Sequence, residues 1–223
     1  MNPDNRALDR TYFIAGPPRI GKTTLSYKLA EKIKGHVVST DAIRSAAKKA
    51  KEDKTGDLFR TNFYNTMSEE EWFKMHLEQP EIVVEDQNKE SVAFWTSIVS
   101  FCNTFCEDSV NHIVEGVHLI PNLVASMKDR PAHIVYVGNT NPDHFKHMLE
   151  YSQKNPEQDW MASLNYSEKK IQAMSNFVRE MSEYFKIEAE KYGFPYFEIR
   201  DDDFDGSLEE ICEFLLRWFK KFS

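Results

Sequence analysis

Cysteine is scarce in this chain, with three in 223 residues, so they cannot all pair, and Cys102 and Cys106 stand four apart inside an apolar stretch. Buried thiols in a reducing compartment explain them better than a bridge or a metal site. Eight glycines and nine prolines leave no room for a long low-complexity tract, so disorder is expected only near the ends. No run approaches the ~20 apolar residues of a membrane span. Met1 to Arg10 is polar and charged, which together predicts a cytoplasmic protein with no membrane contact. Positive charge is the minority sign: 28 Lys and Arg against 36 Asp and Glu give a net charge of −8. That balance opposes a nucleic-acid partner, because gripping many phosphates needs a basic surface that releases counterions. What remains is 41 % apolar and 29 % charged content at a length that suits one α/β domain, 1–223, carrying an insertion.

Five short apolar runs read as strands: Tyr12 to Ala15, His36 to Ser39, His112 to Glu115, His133 to Val137 and Pro195 to Ile199. Helical spacing fills the intervals. A first helix from Lys22 or Thr23 carries Leu25, Leu29 and Ile33 on one face until Gly35 stops it. Ser68-Glu69-Glu70-Glu71 opens another, and Asn141-Pro142 looks like a cap with proline at the first helical position. From Val92, two adjacent stripes (Trp95, Val99, Cys102, Cys106 and Phe94, Ile98, Phe101, Phe105) predict a deeply buried helix, opened by Glu85, Asp86, Lys89 and Glu90. Long helices follow from Ser167 to Tyr192 and from a capping box at Ser207 to Glu210, the latter with Leu208, Ile211, Cys212, Leu215 and Phe219 on one face. Alternation of this kind predicts a parallel sheet covered on both faces with right-handed crossovers. Residues 42–111 are too long for one crossover helix and are expected as a helical insertion beside the sheet's carboxyl edge, where ligands bind in open α/β sheets.

The chemistry concentrates in Gly16-Pro17-Pro18-Arg19-Ile20-Gly21-Lys22-Thr23-Thr24, which fits G-x-x-x-x-G-K-[ST] between an apolar strand and an amphipathic helix. Glycines let successive N–H groups turn inward, the helix N-terminus adds positive potential, and Lys22 reaches the β and γ phosphates. The Thr23 hydroxyl is placed to ligate magnesium. ATP with Mg2+ is the expected cofactor pair, and the dinucleotide pattern G-x-G-x-x-G is absent.

Two further stretches follow strand ends. In Ser39-Thr40-Asp41-Ala42-Ile43-Arg44, Asp41 could accept the proton of an acceptor hydroxyl or hold magnesium through water, with Arg44 one turn on as an anion clamp. The other reading is Asp41 as a helix cap and Arg44 as its surface partner. In Ile113-Val114-Glu115-Gly116-Val117-His118, an acidic residue ends a buried strand, where something must hold its charge. Glu115 would meet magnesium-bound water or a substrate hydroxyl, or else take backbone N–H groups from the next turn. His118 is a candidate substrate contact or simply a packed histidine.

Together GPPRIGKTT, STDAIR and EGVHLIP resemble the P-loop small-molecule kinases, and within them the 2-phosphoglycerate kinase group and its relatives. These stretches cover a minor part of the chain. The resemblance implies a five-stranded parallel sheet in spatial order 2-3-1-4-5, ATP as phosphoryl donor, and Asp41 facing the acceptor hydroxyl. It also implies an arginine-bearing lid after the fourth strand, and here the sequence departs from the pattern. The lid-like segment, about 139–166, has no arginine, and none appears until Arg179. Lys146 and Lys154 are its lysines, Lys169 and Lys170 follow on the next helix, and Arg19 inside the glycine loop could partly substitute.

The resulting expectation is an alcohol-group phosphotransferase acting on a small polar or anionic metabolite, with Lys22, Asp41 and Arg44 in catalysis. A polynucleotide-end or nucleotide-sugar kinase, and a non-catalytic ATP-binding regulatory module, remain as alternatives. Lys48, Lys49, Lys51, Lys54 and Arg60 could attract a phosphorylated substrate, but interleaved Glu52, Asp53 and Asp57 make a solvated face the better reading. The Asp201-Asp202-Asp203-Phe204-Asp205 run lacks EF-hand spacing and would lie near an adenine. Nothing in the sequence sets the oligomeric state.

Overall fold

A computed structural model describes residues 10–51, 64, 66–107, 110–128 and 130–222. Five parallel strands, β1 (Thr11–Ala15), β2 (Gly35–Ser39), β3 (Asn111–Gly116), β4 (His133–Gly138) and β5 (Tyr196–Glu198), form one sheet in the order β2-β3-β1-β4-β5. Register places Ile14 opposite Glu115 and opposite Val135, so β1 and β3 end level with one another while β4 runs on past Tyr136 to Gly138. The three central strands are buried along almost their whole length, as parallel strands covered on both faces must be.

Helices α1 (Lys22–Ile33) and α9 (Phe204–Phe222) pack together on one face. The other face is covered by α2 (Thr40–Lys51), α4 (Pro80–Asn103), α5 (Pro121–Ala125), α6 (His144–Lys154) and the long α8 (Glu168–Lys191). Between α2 and α4 lie α3 (Glu69–Phe73) and a π-helical turn, Lys74–Glu78, and α7 (Trp160–Ser163) follows α6. The core is one cluster that includes Phe13, Leu25, Phe94, Ile113, Val135, Val178 and Leu215. Cys102 and Cys212 are buried thiols. Among the described residues no helix is long and apolar enough to cross a membrane.

Several expected boundaries shift for local reasons. Lys34, not Gly35, takes the left-handed cap of α1 (φ 53°), and Gly35 instead starts β2. There Asn111 Nδ2 donates to the Ile33 carbonyl at 2.7 Å and satisfies one of the terminal acceptors of α1. Helix α9 begins at Phe204, so Ser207 is not its cap: its hydroxyl donates to the Asp203 carbonyl and accepts the Arg200 N–H. Helix α6 begins at His144, which leaves Pro142 in the preceding turn. Helix α4 starts at Pro80 rather than near Glu85 and buries only one face, through Phe94, Ile98 and Cys102, while Val92 and Phe101 are exposed. The Ser68 opening forms a full capping box with Glu71. Lys54, Arg60, Glu52, Asp53 and Asp57 lie outside the described residues, as do the side chains of Lys51, Cys106 and Phe219.

Candidate active site

β1 empties directly into the glycine loop, and the backbone there leaves little choice of residue. Gly16 holds φ 155°, and a Cβ on it would lie 2.1 Å from the Val137 carbonyl oxygen of β4. Gly21 holds φ 88°, and a Cβ there would meet the Phe204 ring at 2.6 Å. Gly21 also accepts the first helical bond from Leu25 N at 2.9 Å. The first turn of α1 carries no acidic residue and no capping side chain, so its N–H groups are available to an anion.

Lys22 is buried, and its ammonium donates to the Pro17 carbonyl within the loop. Burial lowers its pKa, while Glu115 and then Asp41 push it back up. Thr23 Oγ1 lies 3.4 Å from Glu115 Oε1, so the residue after the lysine meets the acid at the end of β3. Burial raises the Glu115 pKa and Asp41 adds to the rise, whereas Lys22 and hydrogen bonds from Ser39 and Thr23 act against it. A hydroxyl beside a carboxylate fits magnesium, which takes one or two protein oxygens and completes its shell with phosphate and water. Ser39 was not singled out from sequence. Its hydroxyl links β2 to Glu115, and only the sheet order makes those two strand ends adjacent.

Asp41 and Arg44 start α2, but they are held differently. The Asp41 side chain is 74 % exposed, 3.8 Å from His118 Nδ1. It is near enough to Lys22 and Glu115 to influence both charges. Arg44 instead ion-pairs through Nε with Glu90 of α4, whose side chain is fully buried. His118 is 1 % exposed, pairs with Thr40 Oγ1 at 2.9 Å and stands edge-on to Phe94. Burial, with Arg44 and Lys22 nearby, pushes its pKa down to about 3, so it is neutral at physiological pH. This is the geometry of a packed histidine beneath the site.

Arg19 departs furthest from expectation. Its guanidinium forms a two-pronged pair with Asp159, 2.9 Å on each arm, and lies over the Tyr151 ring. Asp159 was not recognised in the sequence. Its side chain is fully buried, caps α7 through Met161 N at 2.9 Å and accepts from Ser152 Oγ.

The loops after β4 and β5 are tied by a polar cluster. Asp201 accepts from His144 Nδ1 at 2.7 Å, Asn139 Nδ2 at 2.8 Å and Asn141 Nδ2 at 2.9 Å. Burial opposes ionisation of Asp201, yet these donors hold its pKa below the ordinary value. Arg200 is engaged with Asp203 and Glu210. Among the described residues no group of three or more His, Cys, Asp or Glu forms a metal cluster.

A protein-family model described as RNA helicase matches residues 12–111, which is 100 of the 223 residues. The matched stretch holds the glycine loop, the Asp41 turn and α4, and ends at the first residue of β3. With the sheet order, it supports a P-loop NTPase-type α/β fold, and domains of that type generally bind nucleotides with magnesium. The match does not single out the 2-phosphoglycerate kinase group. No curated protein matches the chain.

Proposed function

We propose that this domain is a phosphotransferase that moves the γ-phosphoryl group of ATP to a hydroxyl of a small polar or anionic metabolite. One observation carries the reading: the site has two carboxylates in different states. Glu115 is buried beside Thr23, while Asp41 is exposed within electrostatic reach of the same lysine. Nucleotide hydrolysis needs the first. The second, facing solvent at the sheet edge, is what an acceptor hydroxyl requires.

The loop N–H groups from Arg19 to Thr24 and the Lys22 ammonium would hold the phosphates, Pro17 and Pro18 having no N–H to give. Thr23 and Glu115 would hold the magnesium ion, with Asp41 reaching it only through water. Bound there, magnesium supplies charge neutralisation of the β and γ oxygens. Asp41 orients the acceptor and takes its proton as the acceptor oxygen bonds to the γ-phosphorus. The bond to the bridging oxygen then breaks, and ADP leaves. Arg44, fixed by Glu90, flanks the acceptor. The catalytic contribution is mostly positioning and charge stabilisation.

Asp41→Asn is expected to bind magnesium ATP within about twofold of wild type and to lose at least a hundredfold in transfer, the range for a lost general base. Transfer is measured with γ-labelled ATP against a panel of hydroxylated metabolites. A variant with full transfer overturns the assigned role.

The family match favours a second reading, hydrolysis without an acceptor. Phosphate release that no metabolite in the panel alters would support it. A polynucleotide acceptor runs against the net charge of −8, and retention on a nucleic-acid filter that falls steeply with salt would restore it.

A further inference from the structure

We infer that Asp159 is a built-in competitor for nucleotide phosphate: it occupies Arg19 of the glycine loop and ties the segment after β4 to that loop until a triphosphate takes the arginine. The inference rests on the phosphate-binding reading of the loop and goes beyond it.

Arg19 stands at φ 69°, a conformation that glycine adopts without strain and that costs other residues about 1 kcal/mol or more. The side chain must therefore gain something by being there. It gains a two-pronged carboxylate contact, and the same planar fork binds phosphate oxygens equally well. Arg19 Nε is buried with no hydrogen-bond partner, so the present arrangement leaves one donor unsatisfied at a cost. An anion with three terminal oxygens offers more acceptors than a carboxylate that is already shared.

Asp159 has such other commitments. It caps Met161 N and accepts from Ser152 Oγ, so it keeps hydrogen bonds when the arginine departs. The second cation of the loop is held in the same manner, Lys22 on the Pro17 carbonyl. Both cations are thus bound to protein acceptors, and a nucleotide must displace both. The stretch 139–176 contributes no arginine of its own, so Arg19 is the arginine through which this segment senses the phosphates.

The test is calorimetric titration of magnesium ATP into the full chain for wild type, Asp159→Asn, Arg19→Gly and the double variant. Asparagine keeps an oxygen for the α7 cap, and glycine suits the backbone angle at position 19. Asp159→Asn is expected to tighten binding by about tenfold, as removal of a competing charge would. Arg19→Gly is expected to weaken binding and to make the Asp159 change inconsequential. Hydrogen exchange across residues 155–166 should accelerate when ATP is added to wild type and not to Arg19→Gly. Wild-type binding that Asp159→Asn leaves unchanged or weakens, in variants with native circular dichroism, overturns the competitor alone. An absence of binding by wild type overturns the phosphate-loop reading, and the competitor with it.

Discussion

Gly116 ends β3 at φ 151°, and a Cβ there would fall 1.8 Å from Thr40 Oγ1. Thr40 is fully buried and bonded to His118, so it cannot swing aside without orphaning that ring nitrogen. Gly116→Ala is therefore expected to destabilise the fold by about 2–4 kcal/mol, through backbone strain and a forced shift of a buried hydroxyl. Thr40→Ala in the same chain should restore part of the loss. Urea denaturation measures both, and a change below about 0.5 kcal/mol would show that the overlap is relieved cheaply. His118 lies outside the charge economy of the site because burial keeps it neutral, and its work is to support the turn that presents Asp41.

Helix α8 supports the carboxyl end of β4 through Ser182, whose hydroxyl donates to the Val178 carbonyl at 2.7 Å and accepts the Asn139 N–H at 2.9 Å. Ser182→Ala would leave the Asn139 N–H without that partner in a buried place and should cost about 1–3 kcal/mol in urea denaturation. A loss within 0.3 kcal/mol would mean that the loop finds another acceptor. Strands and long helices such as α8 were legible in the sequence because apolar period and burial coincide, and Ser167, read as the helix start, is the residue that caps it. Helix starts were less legible wherever a polar side chain had a rival partner. Ser207 reads as a cap, yet its hydroxyl serves the Arg200 N–H. In α4 the two apolar stripes looked equivalent, and only packing against α2 and α8 decides that Phe94 and Ile98 face inward while Val92 does not.

Across the whole molecule, the sheet order brings together residues far apart in sequence: Thr23 with Glu115, Arg44 with Glu90, and Arg19 with Asp159. The glycine loop was legible because its spacing alone specifies its backbone. Asp159 was not, since an isolated aspartate in a polar stretch carries no signal until α6 and α7 fold it against Arg19. The same limit hid the role of Glu90, which reads as helix-opening charge and serves as the buried partner of Arg44. The net charge of −8 suits a small ligand better than a polyanionic polymer, which needs an extended basic surface. The central claim is that the glycine loop grips a triphosphate tail. Equilibrium titration of the folded protein with magnesium ATP, ADP and AMP, alongside Lys22→Ala, tests it most directly. ATP and ADP should bind at least about tenfold more tightly than AMP, with the preference abolished in the variant. Equal affinity for all three nucleotides, or no binding of any, would contradict it.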